Sequence, residues 1–193
     1  RRPGYRERVT RIIAGRAGSL ALEVPGSGTR PTSDRVRESL FGALDAADRV
    51  RDAAVLDLYA GSGALALEAI SRGAASADLV ERAPAAASVA ERNARNVARA
   101  AAGSRVRVHR AGVDAFLRRE PGPYDLVFLD PPYDLRESEL AATLELLVPA
   151  LAPDAVVVIE RAARSPQPAL PAGVELTRSK RYGDTTLWWV ARP

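Results

Sequence analysis

The chain has 193 residues, of which 47% are hydrophobic and 27% are charged, with no cysteine and a single histidine. This composition is typical of a globular protein with a substantial core, and it excludes disulfides, thiolate catalysis and a histidine-rich metal site. No run of residues approaches the roughly 18 apolar positions of a membrane span, and the N-terminus lacks an apolar signal core. We therefore expect a cytoplasmic protein with no membrane partner and no bound metal.

Positive charge is concentrated near the N-terminus. Residues 1–51 hold eleven arginines and six acidic residues, whereas residues 52–193 hold seventeen basic and eighteen acidic residues. A basic end beside a nearly neutral body indicates an anionic macromolecular partner such as nucleic acid. Arginines that only solvate the surface would give the same counts, so the charge pattern favours nucleic acid without requiring it.

The first 48 residues predict an arm made of a hairpin and a helix. Hydrophobic residues alternate between Arg8 and Pro25 in two runs with Gly15 and Gly18 between them, a pattern typical of a β-hairpin. A segment rich in glycine and proline then interrupts regular structure. We expect this arm to precede a separate catalytic domain at residues 49–193.

A helix is predicted from Asp34, where Thr32 or Ser33 can cap its first turn. Apolar residues recur at helical spacing and predict a packed face, and the charged residues between them predict a solvent-facing side. The packed face holds Val36, Leu40, Phe41 and Leu44, and the solvent-facing side holds Arg35, Arg37 and Glu38.

Residues 49–193 predict an α/β domain, because short apolar runs alternate with alanine-rich helical stretches. Strands are expected at Ala54–Leu58, Ala77–Glu81, Val106–His109, Leu126–Asp130, Ala155–Glu160, Val174–Lys180 and Thr185–Ala191, and helices at Leu65–Arg72, Pro84–Ala101, Val113–Arg119 and Glu137–Ala150. The last two strands are too close in sequence for a crossover helix, so they must be antiparallel. The prediction is a seven-stranded, mostly parallel sheet with one antiparallel strand.

Two glycines, Gly61 and Gly63, lie at the turn after the first strand of this domain. Ligands of open parallel sheets lie beyond the carboxyl ends of the strands, and glycines there let the backbone approach a ligand closely. Glu81 ends the second strand, where its carboxylate can accept from both hydroxyls of a ribose. These three residues leave two cofactors open, a nicotinamide dinucleotide and S-adenosylmethionine.

Acidic residues at further strand ends favour S-adenosylmethionine. Asp57, near the end of the first strand, could meet an ammonium group but would repel a pyrophosphate. Asp114 follows the third strand and could accept from an adenine amine. Asp130 follows the fourth strand and reaches the same edge of the sheet.

The fourth strand ends in Asp130, Pro131, Pro132 and Tyr133, a rigid acidic turn suited to a planar amine. The Asp130 carboxylate and the Pro131 carbonyl can each accept a hydrogen bond from one N–H group of an exocyclic amine. The two prolines fix successive φ angles, and the tyrosine ring can stack on a base. A plain structural turn could carry the same four residues, so the position of this turn beside the glycine turn decides in favour of a base site.

This combination of residues resembles the methyltransferases that act on exocyclic amines of bases. More narrowly, the chain resembles the bacterial 16S ribosomal RNA guanine-N2 methyltransferases of the guanine-966 type, over about residues 9–190. Four segments carry the narrower resemblance: Arg11–Gly15, Arg30–Phe41, Val55–Gly73 and Arg181–Thr185. Tyrosine stands at positions 59 and 133, where phenylalanine is common in that family.

The resemblance implies a Rossmann-like class I methyltransferase that uses S-adenosylmethionine to methylate guanine N2 in 16S ribosomal RNA. It implies action on the small ribosomal subunit or on an assembly intermediate, and we expect a monomer. The implied catalytic residues are Asp130, Pro131, Pro132 and Tyr133; the implied cofactor contacts are Asp57, Tyr59, Ala60, Gly61, Ser62, Gly63, Glu81, Arg82, Asp114 and Asp130; and the implied RNA contacts are Arg11, Arg16, Arg30, Thr32, Arg35 and Arg37.

Two other functions remain open at this point. A DNA adenine-N6 methyltransferase would use the same acidic turn, and a non-catalytic nucleic-acid-binding module would use the same basic arm. We predict structural roles for His109, at a strand end, and for Trp188 and Trp189, on opposite faces of a strand. We expect Asn93 and Asn96 at the surface.

Overall fold

The computed structural model describes residues 10–26, 33–119 and 121–193. The hairpin strands are β1 (Thr10–Arg11) and β2 (Ala21–Leu22), followed by α1 (Asp34–Ala46). The remaining elements are β3 (Ala54–Asp57), α2 (Ala64–Ser71), β4 (Ser76–Val80), α3 (Pro84–Ala100), β5 (Arg105–His109), α4 (Val113–Leu117), β6 (Tyr124–Leu129), α5 (Glu137–Leu147), β7 (Leu151–Ala162), β8 (Glu175–Tyr182) and β9 (Thr185–Ala191).

Seven of these strands form one sheet in the order β5-β4-β3-β6-β7-β9-β8. Strands β3 to β7 are parallel to one another, and β9 is antiparallel to both β7 and β8. This confirms the predicted sheet and its single reversed strand. The predicted helix at Glu137–Ala150 ends earlier, at Leu147, and a short 3-10 turn follows. Pro149 in that turn lacks the N–H that an α-helix would need.

Apolar residues form two clusters, one on each face of the sheet. Helices α1, α2 and α3 cover one face, and α4 and α5 cover the other. The two adjacent tryptophans belong to opposite clusters, as predicted from the alternation of a strand: Trp189 packs on the α1 side and Trp188 on the α5 side. The sheet is therefore covered on both faces, and its carboxyl edge is the place where loops meet.

The N-terminal arm packs closely against α2. Ile12 and Leu22 of the hairpin lie in the same apolar cluster as α2 and α3. Glu68 of α2 is buried and accepts hydrogen bonds from the backbone N–H groups of Ile13, at 2.7 Å, and Ala14, at 3.1 Å. The arm is thereby held by both apolar contact and polar pairing, and the domain boundary near residue 48 stays a prediction.

The predicted solvent-facing side of α1 is wrong for Arg37. Its side chain is 0% exposed, and it donates to Asp34 Oδ1 at 2.7 Å, Thr10 Oγ1 at 2.9 Å and the Arg11 carbonyl at 2.7 Å. The hairpin covers this side of the helix and supplies acceptors to one guanidinium nitrogen, and the buried Glu68 carboxylate lies 3.9 Å from a second nitrogen, Nη1, so the buried charge has an ionic partner. The α1 cap agrees with expectation, since Ser33 Oγ accepts from the Val36 N–H. No described helix is both long and apolar enough to cross a membrane.

Candidate active site

The predicted site residues follow three neighbouring strands at one edge of the sheet. Asp57 ends β3, Glu81 follows β4 and Asp130 follows β6. The register places Asp57 beside Phe128, two residues before Asp130. Because neighbouring parallel strands end at this level, the structure brings the predicted cofactor residues and the predicted base-binding turn to the same edge.

The turn between β3 and α2 depends on two glycines with positive φ, Gly61 at 54° and Gly63 at 83°. A Cβ on Gly63 would lie 2.7 Å from a methyl carbon of Leu79, so packing excludes a side chain there. A Cβ built on Gly61 would have no described atom within 4 Å apart from its chain neighbours. The backbone at Gly61 is therefore open to close approach by a ligand, as a cofactor turn requires.

Glu81 holds this turn in place. Its carboxylate accepts from the Gly61 N–H at 3.0 Å and from the Ala83 N–H at 2.7 Å, one bond to each oxygen. Each carboxylate oxygen has a second lone pair. The side chain is half-buried, so it can position the turn and still accept hydrogen bonds from a ribose.

Asp57 lies beneath the turn and is only 1% exposed. Burial raises the pKa of its carboxyl to about 7. The nearby charge of Glu81 also raises this pKa, whereas hydrogen bonds from the backbone of Ala66 and Tyr59 lower it. Its Oδ1 has no hydrogen-bond partner among the described residues. A buried carboxylate with an unpaired oxygen fits a cationic group of a ligand, and the ammonium of S-adenosylmethionine is such a group.

The other predicted cofactor residues surround the same edge. Tyr59 is half-buried; burial raises the pKa of its hydroxyl, and a hydrogen bond with Thr143 of α5 opposes the rise. Asp114 is exposed in the first turn of α4. Ala60 is buried, Ser62 is half-buried and Arg82 is exposed. These residues give the turn a mixed lining of backbone, aromatic and charged groups.

The predicted base-binding turn presents an aromatic ring to solvent. Tyr133 is 55% exposed, and among the described residues no other large hydrophobic side chain is exposed. Pro131 is buried, Pro132 is exposed and Asp130 is half-buried. An exposed ring beside a partly covered carboxylate can stack on a base while the carboxylate meets its edge.

Arg161 supports this turn from below and was not identified from the sequence. The side chain, at the end of β7, is 4% exposed and donates to the carbonyls of Leu135, at 2.8 Å, and Pro132, at 3.5 Å. It also pairs with Glu137 at 2.5 Å. The available signal was an arginine directly after a buried apolar strand, where a charge needs partners.

The predicted RNA contacts divide into three groups. Arg11, Arg16 and Arg35 are exposed and remain available to a phosphate backbone. Arg37 is buried in polar contacts with the hairpin, so we exclude it from the RNA surface. Arg30 and Thr32 lie outside the described residues.

The structure agrees with the prediction for His109 and differs from the prediction for Asn93. His109 pairs through Nε2 with Asp78 Oδ1 at 2.7 Å and packs against the Phe116 ring, with 4.8 Å between the ring centroids; this agrees with a structural role. The predicted surface position of Asn93 is wrong, because its side chain is buried. The hairpin segment after β2 covers it, and a helix pattern cannot show such a cover.

Comparison with known proteins identifies the family. A family model described as "Conserved hypothetical protein 95" matches residues 10–191. The ribosomal RNA small subunit methyltransferase D of Escherichia coli K12 is 42% identical over 90% of this chain and 85% of its own length. The Haemophilus influenzae protein of that name is 33% identical over 78% of this chain and 77% of its own length.

A solved structure agrees with these sequence relatives. An Escherichia coli protein described as a methyltransferase, yhhF, matches with a TM-score of 0.82 and 38% identity over 95% of this chain and 98% of its own. The chain therefore belongs to the conserved hypothetical protein 95 family, together with the ribosomal RNA small subunit methyltransferases D.

Proposed function

We propose that this enzyme transfers a methyl group from S-adenosylmethionine to the exocyclic N2 of a guanine in small-subunit ribosomal RNA, the guanine-966 type of target. The observation that carries the proposal is the shared sheet edge. There, Asp130 and the exposed Tyr133 ring follow β6, the open Gly61 backbone follows the neighbouring strand β3, and the Glu81 carboxylate follows β4, one strand further. The relatives named as ribosomal RNA methyltransferases support RNA as the substrate.

The geometry of the turn supports the proposed cofactor contacts. Gly61 leaves the backbone open, the Glu81 carboxylate can accept from ribose hydroxyls, and Asp57 offers a buried carboxylate to an ammonium group. We propose that Asp114 accepts from the adenine amine. S-adenosylmethionine supplies a methyl group already activated by the sulfonium charge, so the residues of the chain need chiefly to align the two reactants.

The amine contacts follow from the chemistry of guanine. The N2 lone pair is delocalised into the ring, which makes N2 a poor nucleophile. The Asp130 carboxylate and the Pro131 carbonyl can accept hydrogen bonds from the two N–H groups and direct the lone pair toward the methyl group. The bond from sulfur to the methyl group breaks as the bond to N2 forms, S-adenosylhomocysteine leaves, and one N2 proton passes to Asp130 or to water. Tyr133 stacks on the extruded base, and Arg161 keeps the turn in position through the Pro132 and Leu135 carbonyls.

The proposed substrate is the small ribosomal subunit or an assembly intermediate, and we propose a monomeric enzyme that acts in the cytoplasm. The test is a methylation assay with labelled S-adenosylmethionine. Its substrates are small-subunit particles from cells that lack the enzyme, naked 16S RNA and an adenine-containing DNA duplex. We expect N2-methylguanosine from the particles or the RNA, identified by mass spectrometry of nucleosides. N6-methyladenine in DNA alone would overturn the proposal.

Tyr133 variants test the base contact within the same assay. Tyr133→Phe keeps the ring and should retain most of the activity, whereas Tyr133→Ala should raise the KM for RNA about tenfold through lost stacking. Neither change should alter binding of S-adenosylhomocysteine. Equal activity of the alanine and phenylalanine variants would remove Tyr133 from the base site.

A further inference from the structure

Asn93 of α3 connects the arm to the cofactor turn. Its side chain is 1% exposed. The amide nitrogen donates to the carbonyls of Glu23 and Ser62, each at 2.9 Å, and the amide oxygen accepts from the Glu23 N–H at 2.9 Å. Glu23 directly follows β2 of the hairpin, and Ser62 stands between the two glycines of the turn.

Asn93 thus bonds to the hairpin, which we propose binds RNA, and to the turn, which we propose binds the cofactor. The hairpin carries Arg11 and Arg16, which we propose as RNA contacts, and the turn carries the backbone that meets the cofactor. Asn93 binds both the N–H and the C=O of Glu23, as a neighbouring strand would, and it binds the turn with its remaining N–H. A shift of one part therefore strains a hydrogen bond to the other.

Only a side-chain amide fits this position. It needs two donors and one acceptor on one planar group, and asparagine supplies them in the required size. An aspartate of the same shape would place a carboxylate oxygen against two carbonyl oxygens. An apolar residue would leave three partly buried backbone groups without this partner, which is costly.

We infer that Asn93 is a positioning residue that couples RNA binding at the arm to S-adenosylmethionine binding at the turn, so that each strengthens the other. This inference rests on the proposed function. RNA contacts that fix the hairpin also fix Glu23 and, through Asn93, the carbonyl of Ser62. The linkage must be reciprocal, because an effect of RNA on cofactor affinity equals the effect of cofactor on RNA affinity.

The measured quantity is the coupling factor, the ratio of the dissociation constants for labelled S-adenosylhomocysteine without and with saturating unmethylated small-subunit particles. Equilibrium dialysis gives both constants. For the unaltered enzyme we expect a factor of about 5 or more, within the usual range of allosteric coupling. In Asn93→Asp the factor should fall to about 1, while circular dichroism and thermal melting report whether the variant is folded.

Two further variants keep the test decisive. Glu23→Pro removes the N–H that bonds to Asn93 Oδ1 but leaves the Ser62 contact, so it should lower the coupling factor without changing affinity for S-adenosylhomocysteine alone. Arg92→Ala removes only the exposed ion pair between Arg92 and Glu23, which measures 2.7 Å, and it should leave the factor unchanged.

Each outcome decides the matter. Full coupling in a folded Asn93→Asp or Glu23→Pro variant would overturn the inference and leave Asn93 with a structural role only. A factor of 1 in an unaltered enzyme that still methylates the particles would also overturn it while the proposed function stands. Failure of methylation in the same preparation would count against the proposed function instead.

Discussion

The cofactor side and the base side of the sheet edge are built in different ways. On the cofactor side, the turn is held by its own backbone, by the Glu81 carboxylate and by the buried Asp57. On the base side, Tyr133 is exposed, and the buried Arg161 donates from below to the Leu135 carbonyl of the turn. The cofactor side is a turn tied to a half-buried carboxylate, whereas the base side presents an exposed ring to solvent.

This difference matches the two ligands. A cofactor is small and always the same, so a turn formed in advance binds it without reorganisation. A base within a large RNA must be extruded and stacked, so the receiving side needs an accessible ring and a carboxylate at its edge. We expect substitutions on the base side to reduce transfer and leave the fold intact, whereas substitutions on the cofactor side should also change stability.

The largest effect is expected at Asp130. Asp130→Ala removes one acceptor for the amine and should lower kcat about a thousandfold, the upper range for loss of one aligned polar contact in an active site. Affinity for S-adenosylhomocysteine, measured by calorimetry, should change little. Asp130→Asn is the matched control, since it keeps the shape and one acceptor and should retain more activity. Equal loss of cofactor affinity and transfer would show that Asp130 acts through the cofactor or the fold and not through the amine.

A second effect is a pH dependence of stability caused by Asp57. Burial raises the pKa of its carboxyl from 3.8 to about 7. Between these values the folded protein binds more protons at this residue than the unfolded chain, so the contribution of Asp57 to stability decreases as pH rises through that window. The shift corresponds to at most about 4 kcal/mol in the free energy of unfolding.

Asp57→Asn isolates this contribution because it keeps the shape without the charge. Denaturant unfolding at several pH values should show that the variant gains stability relative to the unaltered protein as pH rises from about 4 to about 7. Above about pH 7 the difference should be constant. A difference that does not change with pH would mean that Asp57 titrates normally in the folded protein.

A smaller effect is expected from Arg161. Arg161→Ala removes the donors to the Pro132 and Leu135 carbonyls and leaves Glu137 without its ion pair. Loosening the turn should lower kcat about 10- to 100-fold, because misplacement of a reacting group is costly even when the group is present. Arg161→Lys keeps one donor and should recover part of the rate. Unchanged kcat in the folded alanine variant would show that the turn holds its position without Arg161.

The same comparison explains what the sequence could predict. The strand and helix pattern predicted the sheet, including its reversed strand, because strands buried on both faces read as short apolar runs that stand out between the helical stretches. The turn glycines and the acids at strand ends were also identified, since the carboxyl ends of parallel strands share one edge. A local sequence pattern is sufficient to predict the position of a residue when that position depends only on the residue's own strand.

The errors have a common physical origin. Arg37 and Asn93 were expected at the surface because each lies on a helix, among polar residues. Both are covered by the hairpin, which is distant in sequence, and both satisfy its backbone groups. Arg161 was missed for the same reason, since its partners lie more than twenty residues earlier in the chain. Periodicity describes one element and contains no information about which other element packs on it.

The smallest effect concerns the basic arm and separates two arginines of one helix. Arg35 is exposed, whereas Arg37 is buried against Asp34 and Thr10. Arg35→Glu should weaken RNA binding a few-fold and reduce the salt dependence of log K by about one unit, because fewer counterions are released. Arg37→Ala should instead lower the free energy of unfolding by about 3 kcal/mol, because Glu68, which lies 3.9 Å from Arg37 and is equally buried, would lose its charged partner. Filter binding at several salt concentrations, together with denaturant unfolding, measures both.

An unchanged salt slope for Arg35→Glu would place the RNA surface elsewhere. A changed slope for a folded Arg37→Ala would mean that the hairpin moves to expose Arg37 when RNA binds.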